Sequence, residues 1–188
     1  MGTAAQTVDF LWCRTDYAGR VATAFGKILL ITGNAEFLAE RTRVRALAAV
    51  TQEHPECEVS EASASGLQPG ELAGLTSASL FSDLTALVLT DLQELPEVAQ
   101  AELLAYAAET SPDIAVVLIH GGGNNAKGLL DKLRKLPSVS EVKLEAPKYE
   151  RDFARWVHTE FRDLGGRVDE EGATLLVAAV GQDLRALG

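Results

Sequence analysis

Residues 114–120 read IAVVLIH, and three glycines follow them. The run is apolar up to its last residue and rich in β-branched side chains. It does not alternate, so it has no face meant for water. Such a run predicts a strand buried on both sides, the mark of a parallel sheet covered by helices. Other segments repeat the pattern more weakly. Residues 27–32 (KILLIT) end at Gly33, 84–90 (LTALVLT) end at Asp91, 58–62 make a weak strand, and 139–144 make a last one. Helical periods lie between them. Phe37, Val44, Leu47 and Val50 mark a helix that stops before Pro55, and Pro69 opens a short helix through Leu72 and Leu75. Residues 95–110 form a helix closed by Ser111-Pro112, and 127–136 one stopped by Pro137. Strands alternating with helices join as right-handed βαβ units. The expected fold class is therefore α/β with a parallel sheet, over residues 25–146.

The alternation ends after Pro147. Phe153, Trp156, Val157, Phe161 and Leu164 form one apolar helix stripe, closed by Gly165-Gly166. Asp169 is placed to cap a second helix whose first turn carries Glu170 and Glu171, where the helix dipole favours acids. That helix runs to Val180 and ends at Gly181, and residues 182–187 begin a third. Residues 147–188 thus read as the start of a small helical domain. Residues 1–24 show no period and read as an extension of unknown structure.

A length of 188 residues suits one ordinary domain plus a small second one, and a 47% apolar share supports a packed core. The net charge is −10. Phosphate neutralisation supplies most non-specific affinity for nucleic acid, so an acidic chain argues against DNA as principal direct ligand. Lys132, Arg134, Lys135 and Lys143 read as a solvated face. Cys13 and Cys57 make no disulfide framework. No apolar run is long enough for a membrane span, and no apolar core follows a basic start. The expectation is a cytoplasmic protein without membrane contact.

A sheet of this kind followed by helices resembles NTPases of the AAA+ type, a branch of the P-loop fold. Such an enzyme needs a glycine-rich loop after its first strand, with a Lys for the β/γ oxygens and a Ser or Thr for Mg²⁺. Here that segment is Thr32-Gly33-Asn34-Ala35-Glu36-Phe37. It has one glycine, no Lys, and a carboxylate where phosphate would sit. The expectation is that Gly33 turns the chain, that Asn34 or Glu36 caps the helix, and that this degenerate loop binds no nucleotide. An acidic pair at a strand end is also needed, for the metal and the attacking water. Asp91 stands there, but Leu92 follows it. Asp91 therefore reads as a turn residue.

Two glycine clusters compete for the role. Gly26-Lys27 precedes its strand, where its amides cannot face a ligand. Residues 121–127 (GGGNNAK) follow a strand and precede a helix, so they are the better anion site and carry the alternative reading of a divergent ATPase. However, Gly128 occupies the position that requires Ser or Thr. His54 reads as a solvated helix end, His120 as a strand-end residue near a cleft, and His158 as a surface residue. The histidines and cysteines make no metal spacing. No catalytic residue, metal site or cofactor is expected.

One feature is not plain core. Thr76-Ser77-Ala78-Ser79-Leu80-Phe81-Ser82-Asp83 sets two large apolar residues among small polar ones, just before a strand. The pair either tucks under the sheet or projects as a wedge. Burying both in a partner would contribute roughly 1.5–3 kcal/mol each. The order of the pieces resembles the delta subunit of the bacterial DNA polymerase III clamp loader. Those pieces are ILLITG with NAEFLAER, Ser79-Leu80-Phe81 before LTALVLTD, IAVVLIHGGG with Lys127-Gly128, and GQDLRAL near the end.

The resemblance, over residues 27–187, implies an AAA+-like subunit that does not hydrolyse ATP itself and opens the sliding clamp, the beta ring. It implies that Leu80 and Phe81 enter the clamp's hydrophobic pocket. Other clamp-loader subunits are the implied partners, with DNA touched only indirectly. The family's helical collar lies beyond Gly188, so the chain reads as a shortened form ending inside the lid domain. A generic α/β interaction domain remains the further alternative.

Overall fold

The computed structural model describes residues 25–77 and 82–188. The expected extension over 1–24, and Leu80 and Phe81, lie outside the described residues. The chain divides into two compact units, one ending at Leu144 and the other spanning Glu145–Gly188.

The first unit holds five strands: β1 (Ile28–Thr32), β2 (Glu58–Ser63), β3 (Thr85–Thr90), β4 (Ile114–His120) and β5 (Val139–Lys143). They lie in the order β2-β3-β4-β1-β5, and every pair is parallel. Alternate residues face opposite sides of a strand. Ile28, Leu30, Leu87, Leu89, Val116 and Leu118 therefore belong to one core, and Leu29, Ile31, Ala86, Val88, Ala115 and Val117 to another. Four helices cover these faces: α1 (Glu36–Glu53), α2 (Glu71–Leu75), α3 (Glu97–Ala108) and α4 (Lys127–Leu133). The crossover from β1 to β2 runs one way along the sheet, and those from β2 to β3, β3 to β4 and β4 to β5 run back. Right-handed crossovers then place α1 on one face and α2, α3 and α4 on the other. The cores agree, since Ala46 and Val50 of α1 sit in one, and Leu72, Leu103 and Leu133 in the other.

The weak signal of β2 has a physical cause: it is an edge strand, and Glu58, Val59 and Glu61 are exposed. Charge on an edge opposes pairing with foreign strands. Arg43 of α1 reaches over to Glu61 and also holds Glu40. The apolar stripe expected on α1 shifts. Val44 is exposed, and the inward positions are Thr42, Ala46 and Val50. These stand four apart, so small residues set the approach to the sheet, and position 44 turns away from that row.

The second unit contains α5 (Glu150–Asp163), α6 (Glu170–Val180) and α7 (Leu184–Leu187). Phe153, Ala154, Val157, Ala173 and Val177 form its core. Asp169 accepts the Gly172 N–H at 2.8 Å, and Asp183 accepts that of Arg185 at 2.8 Å, so both helices start on carboxylate caps. At the end of α5, Gly165 adopts φ 77°, with Gly165 N–H bonded to Arg162 O and Gly166 N–H to Phe161 O. That paired pattern is a Schellman turn. The stripe expected here is shorter than its sequence suggests. Phe161 is 36% and Leu164 72% exposed, because they sit in this closing turn, past the span that faces Ala173 and Val177. Among the described residues, no helix is long and apolar enough to cross a membrane.

Candidate functional site at the carboxyl edge of the sheet

β1 and β4 are hydrogen-bonded neighbours, yet α1 leaves β1 toward one face and α4 leaves β4 toward the other. Such a switch point opens a crevice beyond the carboxyl ends of the strands, where folds of this kind hold ligands. In this chain Gly33 and Asn34 follow β1 at that edge, and residues 121–126 follow β4.

Its backbone donors are turned inward. Gly33 N–H donates to His120 O at 3.2 Å, and Leu144 N–H donates to Thr32 O at 2.7 Å. Gly121 N–H donates to Gln93 Oε1 at 2.9 Å, and Gly122 N–H to His120 Nδ1 at 3.1 Å. An Nδ1 that accepts carries no proton, so the ring donates from Nε2 to Asn125 O at 2.9 Å. His120 is only 2% exposed. The expected strand-end residue near a cleft is thus a buried clip that folds the glycine loop back on its strand. The loop then covers its neighbour. A Cβ on Gly122 would lie 3.3 Å from the Gly33 carbonyl carbon and 3.4 Å from Asn34 N.

Gly33 turns the chain at φ 129°. Buried Ala35 takes the N-cap position of α1 and has no side chain that could cap it. Leu144 crosses close to Gly33 here, and Glu36 stands in the first turn, where its charge favours the dipole. Gly26 lies at the opposite end of the sheet, with its N–H given to Ile114 O at 3.0 Å.

Asp91 stands in a left-handed turn at φ 55°, and its carboxylate accepts Ser63 Oγ–H at 2.9 Å and Thr90 Oγ1–H at 3.0 Å. Leu92, at the place of the missing second acid, is fully buried core. Among the described residues, no three His, Cys, Asp or Glu side chains converge on a metal position. His158 is exposed, whereas His54 is half-buried rather than solvated. Its ring meets Phe25 edge-on at 5.2 Å, since the end of α1 turns back to the sheet. Cys57 is buried, and burial pushes its thiol above the ordinary range, which makes it a poor nucleophile at neutral pH.

Arg134, read as solvated, is paired. Its guanidinium grips Glu141 at 2.7 and 2.8 Å and Asp131 at 3.1 Å, and Thr32 Oγ1 donates to Glu141 at 2.6 Å. The Arg134 bonds, then that from Thr32, hold the Glu141 carboxyl below the usual carboxylate range. The pairing of Arg134 with Asp131 and Glu141 is local, whereas the bonds of Thr32 to Glu141, Gln93 to Gly121 and Ser63 to Asp91 join residues remote in sequence. No local pattern announces these last three, and the strand order brings them together.

Described residues fix both approaches to the Leu80-Phe81 segment. Thr76 Oγ1 and Ser77 Oγ donate to Leu72 O and Gly74 O at the end of α2. Ser82 Oγ lies 2.7 Å from Glu56 O and 2.8 Å from Leu84 O, ahead of β3.

The strand order and alternating helices define an α/β fold built on a five-stranded parallel sheet. Within that class, the fold is similar to that of the Bacillus subtilis DNA clamp loader delta protein YqeN. The TM-score is 0.63 at 14% identity, over 85% of this chain and 50% of that one. Fainter likenesses are to the Thermotoga maritima RuvB Holliday junction branch migration motor and to a DNA polymerase III gamma subunit-related protein from the same organism. RuvB gives a TM-score of 0.49 at 14% identity, over 86% of this chain and 51% of its own. The gamma-related protein gives 0.45 at 13%, over 74% and 48%. The chain spans about half the length of each. At these identities the likeness is one of fold. No protein-family model and no curated protein sequence matches the chain.

Proposed function

We propose that this chain is the N-terminal part of a delta-type clamp-loader subunit that binds and opens a sliding clamp without using nucleotide itself. The observation that carries the reading is the carboxyl edge. At the place where an NTPase of this fold would hold phosphate, the loop after β4 comes so near the loop after β1 that a Cβ on Gly122 would lie 3.3 Å from the Gly33 carbonyl carbon, and its amides are given to this chain's own acceptors. A domain that keeps this fold while drawing these loops together is suited to gripping a partner. The likeness to a delta protein supplies the kind of partner. Leu80 and Phe81 are the proposed wedge. The mechanism is differential binding: the subunit holds the open form of the ring more tightly than the closed form and shifts the population. The same geometry weighs against the ATPase alternative, because the amides of Gly121 and Gly122 are already engaged.

Surface plasmon resonance on the sliding clamp tests the wedge. Replacing Leu80 and Phe81 together with Ala should weaken binding on the order of a hundredfold or more, with the far-ultraviolet circular dichroism unchanged. Equal affinity for the folded double variant would remove the wedge from the account.

A further inference from the structure

We propose that His120 is an acid-sensitive latch: its neutral ring holds the loop of residues 121–126 closed, and taking up a proton releases that loop. The proposal does not depend on the clamp-binding reading. Along β4 the side chain of His120 shares a face with those of Val116 and Leu118, so the ring points into a core and is 2% exposed. Gly122 N–H donates to Nδ1 at 3.1 Å, and Asn125 O lies 2.9 Å from Nε2. A carbonyl only accepts and an amide N–H only donates, so these bonds admit one form of the ring, with its single proton on Nε2. A second proton has one place to go. On Nδ1 it faces the Gly122 N–H, which turns a bond into a donor–donor contact beside a newly buried charge. Gly122 also rests against Gly33, so releasing it separates the loops that follow β4 and β1.

Nothing in the loop offsets that charge, since residues 121–126 are Gly-Gly-Gly-Asn-Asn-Ala. The charged side chains on the elements around the ring are Asp91 and Glu94 in the turn after β3, Glu97 on α3, Lys127 and Asp131 on α4, and Glu141 and Lys143 on β5. Asp91 is bonded to Ser63 and Thr90, and Asp131 and Glu141 to Arg134. Glu94, Glu97, Lys127 and Lys143 are exposed. The closed loop therefore binds one proton fewer than the open loop, in which a solvated imidazole titrates at about 6.5. Closure is favoured above that value and weakens as pH falls through it.

Amide hydrogen exchange on the whole chain tests the latch, with protection taken relative to the unfolded chain at each pH. Between pH 8 and pH 5 the Gly122 amide should lose protection about thirtyfold, roughly a decade per pH unit below the ordinary histidine value. Val88 and Val117 in the sheet should keep theirs. His120→Gln supplies an acceptor and a donor that do not titrate, so its Gly122 protection should be equal at both pH values. Equal protection of Gly122 at pH 8 and pH 5 in the wild type would overturn the proposal. A folded His120→Gln variant that loses protection as the wild type does would overturn it too. Should that variant fail to fold, the nitrogen-15 resonance of Nδ1 decides. It must move to its protonated position over the pH range in which Gly122 loses protection, and a ring that protonates while Gly122 stays protected overturns the latch.

Discussion

His120 shows how a polar side chain can be consumed by architecture. Both ring nitrogens are spent on the loop that follows it, and the ring is buried beneath that loop. Replacing it with Ala leaves a cavity and strands the Gly122 N–H, which together should cost about 2–4 kcal/mol. Urea unfolding should show a lower midpoint at unchanged slope, and a loss under about 0.5 kcal/mol would contradict the clip. Glu141 makes a second prediction. Arg134 and Thr32 hold its carboxyl low in the folded state, so its contribution is present above the ordinary carboxylate value of about 4.3. It is lost as pH falls from there through the lowered folded value. Glu141→Gln should therefore cost about 0.5–1 kcal/mol at pH 7, as expected for a partly exposed pair, and the cost should shrink as pH falls below the ordinary carboxylate value. A penalty that stays constant with pH would mean that packing rather than charge is at stake.

At the level of elements, apolar pattern was enough where burial is symmetrical and failed where it is not. β4 was plain because both of its faces are covered, and β2 was faint because it lies at the edge. The same cause misplaced Val44, Phe161 and Leu164. Sequence shows that a side chain is apolar but not how far the opposing element extends, and α6 offers Ala173 and Val177 only to the first turns of α5. A cap that acts through near neighbours was legible at Asp169, whereas the cap at Asp183 was found only in the structure. The close crossing of Leu144 at Gly33, just before α1, was not legible, because the two lie 111 positions apart in the chain. Asp169→Ala should destabilise the helical unit by about 0.5–2 kcal/mol, seen as an earlier thermal loss of its helical signal. No change would show that the cap bond is not maintained in solution.

At the scale of the whole molecule, the strand order brings Gly33, Gly122, His120 and Leu144 together at the carboxyl edge of three neighbouring strands. Residues 33–37 show by themselves that no Lys and a single glycine follow β1. The meeting of the two loops was not readable there, because its members lie far apart in the chain. On this account the acidic chain acts on a protein partner, and nucleotide is irrelevant to its grip. The most direct test is a calorimetric titration of the sliding clamp with this chain, in nucleotide-free buffer and again with saturating Mg-ATP. The account predicts measurable binding with the same affinity in both, and no heat when Mg-ATP is added to the chain alone. Nucleotide binding in the micromolar range, or clamp binding that appears only with Mg-ATP, would contradict it.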